Sequence, residues 1–440
     1  MASAPGPSLP PGKDFRSQQG VALLMLMIIM TMAGTALVLH TLPTESLRWN
    51  RNKVSLEVLK KVKEALIIYA ATNDTRPGEL PCPDLDFDQD ADGPGYGDNN
   101  GSVCATDTGP TLYVGRLPWE DLGLNERDVK DVQGEVVWYA LAMEFSLSEP
   151  TINSSTEADD MGEDIVAVIF SPGAGVAELD QFRVTDDDLL DWSNYLEYIS
   201  VGDTIEGAVT YPLEAEEEFN DLWLTISRDE ILTAVEKRVL KSAKVCLAQF
   251  AADNSGKYPW AAPVANGDNN GVCGTYFGRL PLDTLNVDDV ADCAAATPDS
   301  PAMDSGWATR SECTDLLSGG WIHDNAWQDL LFFQLTAGFD PGTAVTGCGM
   351  NCLKINSGST DYQAVVILAG EELDDTSPEQ DRSVLGATIV IENYLEDNNL
   401  TASTTLNFDF TKIFTDTFND RVACLDGTDD ATEAEFCPGE

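Results

Sequence analysis

The sequence predicts an α+β protein in which an N-terminal transmembrane helix continues into one α+β domain and a second α+β domain follows in tandem. Three observations predict it. Residues 21–42 form an apolar run without a charge. A pattern of helix, irregular loop and strands occurs twice in the same order. In each copy a long amphipathic helix precedes a short set of strands, the order that lets one helix cover a small sheet.

Residues 1–12 are rich in Pro, Gly and Ser and are expected to be disordered. The polar leader, residues 1–20, carries Lys13 and Arg16 and ends in Gln18-Gln19-Gly20. The run Val21–Leu42 follows; at roughly 1.5 Å per residue it reaches about 33 Å, against a hydrocarbon core of about 30 Å. It is too long for a secretory h-region and has no Ala-x-Ala exit site. Processing is therefore expected ahead of it, between Gly20 and Val21, with an uncleaved signal anchor as the alternative. Lys13 and Arg16 favour a cytoplasmic leader, while Arg48, Arg51 and Lys53 on the other flank weaken that signal.

Pro43 is expected to interrupt the helix. It resumes in SLEVLKKVKEALIIYAAT, with Val58, Leu59, Val62, Leu66 and Tyr69 on one stripe, and opens a first domain over 43–226. LKKVKEALIIYAATN (59–73) then returns as LKSAKVCLAQFAADN (240–254), DNNGSVC (98–104) as DNNGVC (268–273), and GRLPWEDLGL (115–124) as GRLPLDTLNV (278–287). Trp138 before an apolar run matches Trp327 before another. IVAVIFSPGAG (165–175) matches AVVILAGEEL (364–373), NYLEYISVGDT (194–204) matches NYLEDNNLTA (393–402), and EFNDLW (218–223) matches DTFNDRV (416–422). Strands are expected near 164–170 and 364–369. The second helix has its own start, a Ser227-x-x-Glu230 capping box, and a buried stripe of Leu232, Val235, Val239, Ala243, Cys246 and Phe250. The second domain is set at 227–440 and ends in an acidic tail.

Composition limits the function classes. The 440 residues hold 75 acidic against 25 basic side chains, a net charge of −50, which repels nucleic acid and anionic lipid; no nucleic-acid partner is expected. All ten cysteines lie beyond the apolar run, which favours an oxidising compartment. The localisation expected is a single pass through the inner membrane with a periplasmic or cell-surface ectodomain.

A polar leader, a Gly and then an uncharged helix resembles the N-terminus of the type IV pilin and type II secretion pseudopilin family. The resemblance implies cleavage by prepilin peptidase after Gly20 and methylation of Val21. It implies pilin-like domains, partners among other pilin or pseudopilin subunits, and protein secretion or cell adhesion as the setting. Met25 stands where most of that family carry a glutamate, which points to a minor subunit that initiates or caps a filament. The blocks RPGELPCPD, GRLPWEDLGL, SPEQDRS (377–383) and FND also resemble a family of large pilin-like membrane proteins of bacteria. The rival readings are a signal-anchored periplasmic enzyme and a calcium-dependent adhesin.

For chemistry, the best stretch is DLDFDQDADGPGYGDNNG (84–101), where Asp84, Asp86, Asp88, Asp90 and Asp92 alternate before Gly93. Read from Asp88 it contains the D-x-D-x-D-G core of a calcium loop, with Asp98 standing in for the missing bidentate Glu. Calcium and a merely solvated acidic loop both fit. The cysteines read as staples: Cys82 with Cys104, Cys246 with Cys273, Cys293 with Cys313, Cys348 with Cys352, and Cys424 with Cys437. Only His40 and His323 are available, and no nucleophile elbow, phosphate loop, dinucleotide fingerprint or His-Glu-x-x-His motif occurs. The expectation is a protein that is not an enzyme.

Overall fold

The computed structural model describes residues 27–28, 30–31, 44–85, 95–97, 104, 112–142, 164–175, 181, 183, 191–196, 221–264, 271–281, 310–341, 347–349, 351–373, 380–382, 390–409, 415, 417–427 and 437. The chain divides into two units, Met1–Glu57 and Val58–Glu440. In the first unit Met27, Ile28, Met30 and Thr31 are helical, and the Thr31 hydroxyl donates to the Met27 carbonyl at 3.0 Å.

The expected transmembrane helix is not supported. No helix among the described residues is long and apolar enough to cross a membrane, and most of 21–42 lies outside them. The long helix that is present, α1 (Thr44–Thr72), carries Arg48, Arg51, Lys53, Glu57, Lys60, Lys61, Lys63 and Glu64 along its length. Such charges are too costly to place in hydrocarbon. The membrane-anchored fold class and the single-pass inner-membrane location are corrected accordingly, and the fold is α+β with two four-stranded sheets.

Both sheets lie in the second unit. Strands β1 (Leu112–Arg116), β2 (Trp138–Ala142), β3 (Ile165–Ser171) and β4 (Leu222–Ser227) form an antiparallel meander in chain order. Helix α2 (Arg228–Asp253) follows β4 without a connecting loop. The second copy repeats the meander with β5 (Phe277–Arg279), the single turn α3 (Trp321–Asp324), β6 (Leu331–Leu335), the two-residue β7 (Lys354–Ile355), β8 (Ala364–Leu368), α4 (Asp397–Thr405), β9 (Asn407–Phe408) and β10 (Arg421–Leu425). The main sheet runs β5-β6-β8-β10, all antiparallel, while β7 and β9 form a separate parallel pair. Two helix-plus-meander modules are thus built from one pattern.

The helices form where the apolar spacing demands. Leu59, Val62, Leu66 and Ala70 recur at three and four residues and are fully buried, with Val58 packed beside them. On α2 the stripe Leu232, Val235, Val239, Ala243, Cys246 and Phe250 is buried throughout. The Ser227 side chain accepts from the Glu230 N–H, and the Glu230 carboxylate accepts from the Ser227 N–H, closing the capping box. Strands β2, β3, β6 and β8 are buried at every residue, as strands packed on both faces must be. These side chains join in one continuous core.

Candidate functional site

The sharpest product of the duplication is an arginine held the same way in both modules. Arg183 donates from Nε to the Asn194 carbonyl at 2.8 Å and from Nη1 and Nη2 to the Gly173 and Pro172 carbonyls at 3.1 and 3.4 Å. Arg382 donates from Nε to Asn393 at 2.7 Å and from Nη1 and Nη2 to Gly370 and Glu371 at 2.7 and 3.3 Å. Each guanidinium also covers a tyrosine ring, Tyr195 at 4.2 Å and Tyr394 at 4.8 Å. The planar fork of arginine suits three carbonyls at once, where the ammonium of lysine offers a point charge. The clamps tie the turn before each tyrosine to the end of the third strand of its sheet.

The Arg of GRLP anchors a second repeated feature. The main chains of Arg116 and Asp84 exchange hydrogen bonds of 2.8 and 2.9 Å, and those of Arg279 and Ala262 exchange bonds of 2.8 and 3.0 Å. The preceding glycine is obligatory at this approach: a Cβ on Gly115 would stand 2.5 Å from the Asp84 carbonyl oxygen, and one on Gly278 1.9 Å from that of Ala262. Trp138, opposite Arg116, packs on Tyr195; its counterpart opposite Arg279 is Phe332, which packs on Tyr394. Trp327, the expected twin of Trp138, lies instead in a 3₁₀ turn before β6.

The second module gathers several buried or partly buried acids. At the start of α2, Arg228 Nη2 lies 2.5 Å from Glu371 Oε1, and the Arg228 N–H donates to the Asp164 carbonyl. The Glu371 carbonyl accepts from Asn419 Nδ2 and Arg382 Nη2. Burial pushes the Glu371 carboxyl up to about 7; Arg228 opposes that rise, and Glu236, Asp229 and Asp164 add to it. Glu236 on α2 pairs with Arg421 on β10, which also donates to Thr233 Oγ1 at 2.6 Å. Burial raises the Glu236 carboxyl too, with Arg421 opposing.

Nearby, Gln380 Nε2 donates to Glu396 Oε1 at 2.6 Å, and the Asn419 N–H donates to Glu396 Oε2 at 3.3 Å. Asp420 Oδ2 accepts from the Glu396 N–H at 3.1 Å and from Asn399 Nδ2 at 3.0 Å. Arg382 Nη2 reaches Gln380 Oε1, so the clamp and the acids share one network. The pair Gln181-x-Arg183 and Gln380-x-Arg382 lies outside the blocks that match between the two halves. The signal that finds it is their constant distance ahead of Asn194-Tyr195 and Asn393-Tyr394.

Of the candidate calcium ligands, only Asp84 lies among the described residues; Asp86, Asp88, Asp90, Asp92 and Asp98 fall outside them. Asp84 is buried, and its Oδ2 accepts from the Gly95 N–H at 2.8 Å. No group of three or more His, Cys, Asp or Glu poised for a metal occurs among the described residues. Gly20 and Val21 also lie outside them.

Disulfides join Cys82 with Cys104, Cys348 with Cys352 and Cys424 with Cys437. Cys246 bonds Cys313 rather than Cys273, because its side chain on the buried face of α2 meets the 3₁₀ turn Ser311–Leu316. The expected pairs Cys246 with Cys273 and Cys293 with Cys313 are thereby excluded. Cys273 is disulfide-bonded as well, and Cys293 lies outside the described residues.

No protein-family model, curated protein or solved structure matches the chain. The role of a membrane-anchored pilin or pseudopilin subunit is withdrawn with the helix that carried it, and the pilus, secretion and membrane setting goes with it.

Proposed function

We propose that this chain is a non-catalytic binding protein of an oxidising compartment, in which two fused modules present a strongly acidic surface to a cationic partner. The observation that carries this reading is the doubled arginine clamp. In each module the guanidinium is held by main-chain carbonyls and a tyrosine ring, with Glu135 beside Arg183 and Gln380 beside Arg382, which stiffens the frame and supports a structural role for the arginine. Disulfides add covalent ties to the same frame. The helix-then-meander order supports keeping the pilin-like resemblance as one of architecture. The net charge of −50 sets the partner's sign, and such attraction is long-ranged and weakened by salt.

Calorimetric titration of the full oxidised chain with a lysine-rich peptide tests the reading. Saturable binding that weakens with added salt is expected. The control is the same chain reduced and unfolded, which carries the same formal charge. Equal binding by both forms would show that the fold presents nothing, and no binding by the oxidised form at low salt would reject the cationic partner.

A further inference from the structure

Among the disulfides whose two cysteines are both described, Cys348–Cys352 differs from the rest in span and in access. Its cysteines stand 4 residues apart, against 13, 22 and 67 for the others, so it constrains the unfolded chain least. Cys104, Cys246, Cys313, Cys424 and Cys437 are buried, and Cys82 sits between the buried Pro81 and Pro83. Cys348 is only half-buried. Its neighbours Gly347 and Gly349 are exposed and bring no side chain to shield the sulfur, and a Cβ on either would stand in open space. A thiolate attacking a disulfide needs such an approach. Cys352 is buried and leads into Leu353, which exchanges main-chain hydrogen bonds of 3.0 and 3.3 Å with Tyr362, and then into β7. That strand has two residues and meets β9 through few bonds. Among them are the Lys354 N–H to the Leu406 carbonyl at 3.0 Å and the Asn356 N–H to the Phe408 carbonyl at 2.8 Å.

We propose that Cys348–Cys352 is a thiol–disulfide exchange site for a dithiol partner, and that opening it frees β7 from β9 while the four-stranded sheet stays folded. The incoming thiolate attacks the Cys348 sulfur, the Cys348–Cys352 bond breaks, and Cys352 leaves as a thiolate that takes up a proton. The partner's second thiolate then attacks the mixed disulfide and releases Cys348, which is protonated in turn. Two electrons and two protons have passed to the cysteine pair, and the partner departs as a disulfide. An oxidised dithiol runs the same steps backwards. Reclosure is helped by the turn between the two cysteines, where the Asn351 N–H donates to the Cys348 carbonyl at 2.9 Å. Neither cysteine lies in the sheet β5-β6-β8-β10, and Cys424–Cys437 ties β10 independently. The loss is therefore local, as an opening of a small, weakly held unit is.

The full oxidised chain, held in graded mixtures of reduced and oxidised dithiothreitol, tests the site; free thiols are trapped by alkylation and located by peptide mass spectrometry. Cys348 and Cys352 should be labelled together at a reducing ratio about tenfold lower than Cys82–Cys104, Cys246–Cys313 or Cys424–Cys437 requires. At that ratio hydrogen exchange at Lys354 and Asn356 should rise about tenfold or more while Ala364–Leu368 keeps its protection, and oxidised dithiothreitol should restore both amides. Labelling of Cys348 and Cys352 with or after the other three bonds would overturn the proposal. So would selective reduction that leaves Lys354 and Asn356 unchanged, or that strips protection from β8 as well. A Cys348→Ser, Cys352→Ser double variant should show the fast exchange at Lys354 and Asn356 without any reductant. Slow exchange there in the folded variant would count equally against the site.

Discussion

Replacing Glu371 by glutamine isolates one partly buried carboxyl against a background of fifty net negative charges. The carboxyl is raised from 4.5 to about 7, chiefly by burial, while Arg228 at 2.5 Å pulls the other way. That shift corresponds to about 3 kcal/mol of folding stability, an upper value because the side chain keeps some contact with water. The sign follows from the direction: the contribution is complete below pH 4.5 and is lost as pH rises through about 7. Glu371→Gln cannot ionise and keeps nearly the same shape beside Arg228. Urea unfolding of both proteins between pH 4.5 and pH 8.5 should give a difference in stability that grows with pH in favour of the variant and levels off above about pH 7. Taking the difference cancels the general repulsion among surface acids, which both proteins share. Parallel curves would refute the argument, since burial would then not govern this group.

The remaining predictions concern the frame. Arg382→Lys should lower stability by about 2 kcal/mol or more in denaturant unfolding, because lysine cannot serve the Gly370, Glu371 and Asn393 carbonyls together; Arg183→Lys should do the same in the first module. Ser227→Ala should cost about 1 kcal/mol by the same assay through loss of the capping box. Removing Cys246–Cys313, with its separation of 67 residues, should cost about 4 kcal/mol, against about 2 kcal/mol for Cys348–Cys352, separated by 4. Thermal unfolding of the two double-serine variants compares them.

Much of the fold was legible because duplication writes the same physics twice. The apolar spacing that buries Leu59, Val62 and Leu66 reappears in Leu240, Ala243 and Leu247, and the capping box marks where the second copy begins. The Gly-Arg of GRLP was conspicuous because two backbones meet there and admit no Cβ. The arginine clamps were harder to see, since their partners are carbonyls, which every residue has. The twin of Trp138 was misplaced because the likeness of Trp138 to Trp327 is one of letters, while Phe332 occupies its place in the sheet register. Cysteine pairing failed for Cys246 because the nearest cysteine in sequence is not the nearest in space. The charge-free run Val21–Leu42 suggests a membrane span by length and apolarity, and no helix among the described residues supports it.

One junction has a mechanical consequence. Ser227 is both the last residue of β4 and the N-cap of α2, so no slack chain separates the first sheet from the second module's helix. Tension entering the chain from the C-terminal side would pass along α2 directly into β4. That strand is laddered to β3 from Leu222 to Ser227, and a pull along its axis loads those hydrogen bonds in shear, all together rather than one at a time. The β3–β4 ladder, with no slack linker, is thus the connection on which such a load would act.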